Sequence, residues 1–267
     1  MLLIDEVHHI SESGRGATLE AVIVRMRTLC DEFRRAKKIH MESSASACTY
    51  IPERYPNEPT PVMRIVALSA TLPNVQDIGE WLLCPQDAIH YFDDSFRPVP
   101  LTTIVQGYNS MGNSFLFEKS LDDRVADVIR RHSKSRQVLI FCSSKKGCET
   151  LAGILASSMG FIKGKVGISN NSFHDPKLGS LISKGYAYHH AGVPGNDRTI
   201  VENLFISGAI HVLCATSTLA QGVNLPAHLV IIKGTNQWLG GGKGYEPLGT
   251  STILQMTGIK LLVLATF

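Results

Sequence analysis

The sequence has no long apolar run, no paired cysteines and no strong excess of charge. No run reaches the length that spans a bilayer, and the opening MLLIDEVHH puts no basic segment ahead of an apolar one, so neither a membrane span nor a leader is expected. The six cysteines, Cys30, Cys48, Cys84, Cys142, Cys148 and Cys214, form no C-x-x-C pair and have no spaced histidine partner. That argues against a zinc site and a disulfide framework, and for a reducing compartment. Lys and Arg number 26 against 23 Asp and Glu; the formal charge of +3 neither demands nor excludes a nucleic-acid partner. With 44% hydrophobic residues, 23 Gly and 12 Pro in 267, disorder, collagen and coiled coil are excluded for the chain as a whole.

Short apolar runs are what the sequence does have: Leu2 to Ile4, Ile65 to Leu68, Val138 to Cys142, Val212 to Ala215 and Leu229 to Ile232. Unbroken runs of this length suit strands covered on both faces, so the expected class is α/β with parallel sheets. Between the first two runs, Leu19, Val22, Ile23, Met26, Cys30 and Phe33 fall at helical spacing, with Arg25, Arg27, Arg34 and Arg35 largely off that face as a solvated stripe. Lys37 to Pro61, rich in Ser and Pro, reads as a long surface loop, and Ser169 to Gly179 as a loose link between a helix and a strand. A domain boundary is expected near Phe96-Arg97-Pro98, giving domains 1–97 and 98–267.

The first run ends in Asp5-Glu6-Val7-His8. A buried strand that ends in adjacent carboxylates can place Asp5 to hold a nucleotide's magnesium and Glu6 to orient or deprotonate water, although a strand may also merely end in two acids. The second run leads into Ser69-Ala70-Thr71, whose hydroxyls can bond those carboxylates and His8, or simply cap a helix. Ser143, Ser144 and Lys145 follow the third run, and Thr216 and Ser217 the fourth. Two hydroxyl clusters at matching strand ends favour a grip on phosphates by hydroxyls and backbone N–H groups, with helix capping as the plainer reading of each alone. His190 stands evenly between a satisfied histidine and a nucleic-acid contact.

Together these residues resemble the superfamily-two DExH helicases. Arg15-Gly16 with Leu19-Glu20 resembles the R-G-x-x-L-E of the Ski-type branch. VLIFCSSKK (Val138 to Lys146) resembles motif IV, Tyr188 to Val193 with Arg198 the element after it, and ATSTLAQGVNLP (Ala215 to Pro226) motif V. DEVH, FRPVPL and FCSSKKGCE are most similar to the meiotic crossover DNA helicases. The resemblance implies two RecA-like domains, the first truncated at its N-terminus and the second at its C-terminus. It implies ATP and magnesium as cofactors, 3'-to-5' unwinding of single-stranded or branched DNA with RNA as an alternative, nuclear location and no membrane. It also implies Asp5, Glu6 and His8 as catalytic, Ser69 and Thr71 as coupling residues, and Gly222 and Asn224 near the nucleotide. Asn236 to Gly249, with Trp238, falls where such DNA helicases carry a strand-separating hairpin; its glycines suit a hairpin tip and a floppy loop equally.

No G-x-x-x-x-G-K-[ST] phosphate loop occurs. Ile253 to Gly258 matches the start of motif VI, but Ile259 to Phe267 stands where the family reads R-A-G-R. The resemblance therefore implies a fragment that begins inside the first motor domain, ends before the motif VI arginines and is inactive alone.

Overall fold

The computed structural model describes residues 1–11, 15–43, 63–69, 74–96, 100–109, 112–160, 173–220, 225–240 and 244–258. The chain divides into two compact units, Met1–Asp93 and Asp94–Phe267.

In the first unit β1 (Leu2–Ile4) and β2 (Ile65–Ala67) run parallel with Leu2 opposite Ile65, and α1 (Arg15–Ser43) lies between them in sequence. Ile4, Val7 and Ile23 are buried, with Leu2, Leu19, Ile65, Ala67 and Trp81 packed around them. Ile23 lies at the centre of the predicted helical stripe, whereas Val22, at its edge, is 43% exposed. The helix also runs through Lys37 to Ser43, which the sequence reading assigned to the loop. Its Lys, Ile, Met and Glu are adequate helix formers, and the Ser and Pro cluster begins only after them. The rest of that loop lies outside the described residues. α2 (Val75–Trp81) completes the unit, and Trp81 takes the Arg27 guanidinium over its ring at 6.0 Å.

The second unit is built on a four-stranded parallel sheet in the order β4-β5-β3-β6, from β3 (Val138–Phe141), β4 (Tyr186–His189), β5 (Val212–Ala215) and β6 (Leu229–Ile232). Every residue of these strands is buried, as two-sided cover requires. α3 (Ser114–His132), α4 (Lys145–Ser158), α5 (Pro176–Ile182) and α6 (Gly195–Ile206) accompany the sheet. The α/β class is thus as expected. β4 was missing from the apolar runs because Tyr-Ala-Tyr-His is not one, yet Tyr186 and Tyr188 are among the largest fully buried side chains.

α5 corrects the loose link expected up to Gly179. Asp175 accepts from the Lys177 N–H at 3.0 Å, Pro176 takes the first helical position, and Leu178 and Ile182 are buried. An antiparallel hairpin, β7 (Asn236–Trp238) and β8 (Tyr245–Pro247), and α7 (Thr250–Gly258) close the described unit.

Candidate nucleotide and nucleic-acid sites

Asp5 and Glu6 follow directly on β1. Asp5 is exposed, and one of its carboxylate oxygens accepts the Glu6 N–H at 3.0 Å. Glu6 itself has φ 53°, in the left-handed region that costs a non-glycine residue about 1–3 kcal/mol and that clusters at functional sites. Glu6 Oε2 lies 3.2 Å from His8 Nδ1 yet is buried without a hydrogen-bond partner, so it retains acceptor capacity. His8, 3% exposed, shares a hydrogen bond of 3.0 Å with the Ser69 hydroxyl, and the Val7 N–H donates to Leu68 at 3.0 Å. Asp5, Glu6, His8 and Ser69 are therefore gathered at the carboxyl ends of two parallel strands. Thr71, Gly222 and Asn224 lie outside the described residues. Gly16, of the Arg15-Gly16 motif, has a mechanical reason: a Cβ there would stand 2.1 Å from the Ile10 carbonyl oxygen.

In the second unit Ser143, Ser144 and Lys145, His190, Thr216 and Ser217 each follow one of three adjacent strands, β3, β4 and β5, so all lie at one edge of the sheet. Open parallel sheets bind ligands at that edge. The Ser144 oxygen accepts the Gly147 N–H at 3.0 Å and caps α4, leaving its own hydrogen for a ligand. Lys145 is exposed, and Thr216 shares a 3.0 Å hydroxyl contact with Thr218. His190 is 5% exposed and stacks on Tyr188 with centroids 5.6 Å apart. Its Nδ1 accepts the Gly192 N–H at 3.1 Å, which puts the ring proton on Nε2, 3.4 Å from Glu149. Burial pulls the His190 pKa below its ordinary value.

Ser143 points elsewhere. Its hydroxyl donates to Glu118 at 3.0 Å and its carbonyl accepts the Trp238 N–H at 2.9 Å, tying the root of the β7–β8 hairpin to the turn after β3. Glu118 belongs to a charge cluster that the sequence reading missed. Lys233, 5% exposed, bonds Asp122 and the Glu118 carbonyl and lies 3.7 Å from the Glu118 carboxylate. Burial raises both acids' pKa values against the pull of Lys233. The signals were legible, a lysine closing an all-apolar strand and two acids at i, i+4 on one helix, but which helix faces which strand end is a tertiary fact. A Cβ on Gly234, at φ 85°, would stand 2.2 Å from the Glu118 carboxylate.

The glycine-rich segment, left open between hairpin and loop, is a hairpin. Trp238 pairs with Tyr245 and meets its ring edge-on at 5.1 Å, and the Leu239 N–H donates to Gly244 at 3.1 Å. Trp238 is 50% exposed.

With this geometry in place, residues 120–258 match the helicase conserved C-terminal domain. The chain belongs to that family. Over 97% of its length it is similar to the ATP-dependent DNA helicase homolog MER3 of Arabidopsis thaliana, 37% identical over 270 residues. The same share is 39% identical over 267 residues to the probable ATP-dependent DNA helicase HFM1 of Xenopus tropicalis. The U5 small nuclear ribonucleoprotein 200 kDa helicase of Caenorhabditis elegans is 34% identical over 271 residues, again 97% of this chain. The chain spans 22%, 18% and 11% of the length of these three relatives. The helicase domain of this chain is thus the second unit's parallel sheet, with its candidate contacts along the carboxyl edge.

Proposed function

We propose that this chain is part of the motor of an ATP-dependent 3'-to-5' DNA helicase that acts in the nucleus on single-stranded or branched DNA during meiotic crossing-over. Three adjacent parallel strands of the helicase domain deliver hydroxyls, a capped helix N-terminus and Lys145 to one edge, and that observation carries the reading. These groups suit phosphates and carry no base-reading pattern, as a protein that tracks along a strand requires. Ser144, Lys145, Thr216 and Ser217 would hold the backbone, with His190 bracing the turn beside Lys145. Ser143, engaged with Glu118, would contribute through the position of its backbone. The β7–β8 hairpin, rooted on Ser143 and carrying half-exposed Trp238, would part the strands. The names of the relatives, two ATP-dependent DNA helicases, support the substrate class, and the meiotic setting rests on the resemblance of DEVH, FRPVPL and FCSSKKGCE.

Asp5 and Glu6 fit magnesium-bound ATP. Among the described residues no three His, Cys, Asp or Glu side chains form a metal cage. Magnesium held by nucleotide phosphates needs only one or two protein carboxylates, and Asp5 offers an exposed one. When bound, the nucleotide and its metal supply the phosphoryl group whose transfer to water drives the motor. The Glu6 carboxylate, 3.2 Å from the His8 ring, would accept a proton from water, and His8 would hold the Glu6 side chain against Ser69. Ser69 and Thr71 would serve as coupling residues, and Gly222 and Asn224 would contribute to nucleotide binding. We divide the motor into domains 1–97 and 98–267.

Fluorescence anisotropy of this chain with labelled single-stranded DNA, against competing DNA and RNA across a salt series, tests the reading. Affinity falls steeply with salt, varies little with base sequence, and Lys145→Ala lowers the salt slope by about one. Equal competition by RNA favours the alternative reading, an RNA helicase of the same branch. A base preference that survives high salt overturns the backbone-tracking site.

A further inference from the structure

The amino ends of the second unit's strands form an edge that the helicase reading does not use, and that edge is basic. Short turns lead from α3, α5 and α6 into β3, β4 and β5, and residues 225–228 lead into β6. The His211 N–H donates to the Gly185 carbonyl at 2.9 Å, the Val138 N–H to that of His211 at 2.7 Å and the His228 N–H to that of Gln137 at 2.9 Å. The four lead-ins therefore lie side by side. Residues 128–138, 181–186, 206–212 and 225–229 hold no Asp or Glu, but they carry Arg130, Arg131, Lys134, Arg136 and Lys184, all exposed. Arg130 pairs with Asp127 at 2.9 Å. The other four side chains have no hydrogen-bond or ion-pair partner among the described residues. Two features separate this patch from an ordinary solvated surface. The first is its backbone. α5 and α6 close on left-handed glycines, Gly185 at φ 90° and Gly208 at φ 77°, whereas α3 closes on Lys134 at φ 50° and Ser135 at φ 57°. Glycine would relieve the strain that a Cβ brings there, yet a lysine side chain is kept. The second is the distribution of charge. Cations that only balance helix dipoles would be shared among the helix ends. The last turn of α3 instead holds Arg130, Arg131 and His132, with Lys134 and Arg136 just beyond, and the last turn of α6 holds none.

We propose that this edge is a second nucleic-acid surface, which holds the phosphates of duplex DNA. The class of partner follows from what accompanies the cations. Sites for unpaired strands add exposed aromatic rings on which bases stack, and the described residues of this edge expose none, since Tyr186 and Phe205 are buried. A membrane surface would call for apolar side chains beside the cations, and Ile206 is the one large apolar side chain exposed among these described residues. The spacing suits a duplex. β5 lies between β4 and β3, so Lys184 and Arg136 stand two strand spacings apart, about 10 Å, comparable with the roughly 12 Å of a major groove flanked by phosphates. Strands of four residues set this edge about 13 Å from the carboxyl edge. A tracked single strand and a duplex arm can thus be held at once on opposite edges of one sheet. That simultaneity rests on the proposed function; duplex binding does not.

Fluorescence anisotropy of this chain with a labelled blunt duplex and a labelled oligothymidine across a salt series tests the assignment. Arg131→Ala/Lys134→Ala/Arg136→Ala weakens duplex binding about tenfold or more. It lowers the slope of log affinity against log salt by roughly 2.7, about 0.9 for each of three phosphate contacts, and changes oligothymidine binding by less than about threefold. Lys119→Ala/Arg124→Ala/Lys177→Ala removes the same charge from other exposed positions and keeps duplex affinity within about threefold of the parent. Lys134→Gly weakens duplex binding yet melts no lower than the parent, which separates the charge from the fold. The proposal is overturned if the first triple variant binds duplex as the parent does, if the second loses as much, or if duplex and single strand weaken together. It is also overturned if phosphatidylserine vesicles bind the parent as tightly as duplex does and bind the first triple variant poorly. A duplex loss in that variant, with oligothymidine binding untouched by Lys145→Ala, upholds this edge and counts against the grip proposed at the carboxyl edge.

Discussion

The two parallel sheets of this chain differ in how far their strands are hidden. β3, β4, β5 and β6 are buried at every position, while β1 buries only Ile4 and leaves Leu3 64% exposed. Leu68, one residue beyond β2, is 61% exposed. Among the described residues the first unit therefore buries chiefly one face of two short strands, and the second both faces of four. The candidate hydrolytic residues, with left-handed Glu6 among them, sit on the smaller core. The candidate strand-gripping residues sit on the larger. Stepwise denaturation should resolve these as separate transitions, with the first unit unfolding earlier.

Lys233→Met should break the contrast most strongly. Removing the cation leaves Glu118 and Asp122 buried without their counter-charge, a loss of about 3–5 kcal/mol in the second unit alone, read from urea melts by far-UV circular dichroism. The pH dependence carries a sign. Both carboxyls have folded pKa values raised by burial, above the ordinary 4.5 and 3.8. A raised folded value means that the folded state keeps its proton longer. The contribution is full below those ordinary values and is lost as pH rises through the folded ones. Without Lys233 the folded values rise further, so the variant should keep losing stability with rising pH beyond the point where the parent levels off.

Legibility in the sequence followed the same division. Strands buried on both faces advertise themselves as apolar runs, and Val138 to Cys142, Val212 to Ala215 and Leu229 to Ile232 located three of the four. Tyr186–His189 escaped because tyrosine and histidine carry polar atoms, which the fold meets in part with distant partners such as Asp175 for Tyr188 and Glu202 for His189. Asp5, Glu6, His8 and Ser69 were singled out because hydrolytic chemistry needs those types at strand ends, and the fold brings them together after β1 and β2. Ser143 was read as a phosphate contact of the same kind as Ser144, yet one hydroxyl meets Glu118 and the other caps a helix. Only the placement of α3 separates them, and α3 is not local to either serine.

A smaller effect should sharpen the second unit's side of the comparison. Ser144→Ala removes the acceptor that meets the Gly147 N–H and should cost about 1 kcal/mol in the second transition. If Ser144 also donates its hydrogen to a phosphate, single-stranded DNA affinity should fall, and Ser144→Asp should restore the cap while its charge worsens the binding. Thermal melts and anisotropy on the same two variants separate capping from contact.

The smallest expected effect, that of Leu3→Ala, gives the most direct test of the contrast when set beside Leu139→Ala. Leu3 and Leu139 are leucines of parallel strands, Leu3 opposite Val66 and Leu139 between Leu213 and Val230. Leu139 is wholly buried and Leu3 is mostly exposed. Leu139→Ala should therefore cost about 2–5 kcal/mol, through lost transfer energy and the cavity left behind. Leu3→Ala removes side-chain surface that water already reaches and should shift the first transition by no more than about 0.5 kcal/mol. The side chain removed is the same in both, and what differs is the cover, since Leu139 lies in a strand flanked on both sides and Leu3 in one paired on one side. Should Leu3→Ala cost as much as Leu139→Ala in urea melts of the two variants, the outer face of β1 is covered in solution, and the small core of the first unit would no longer explain its earlier unfolding.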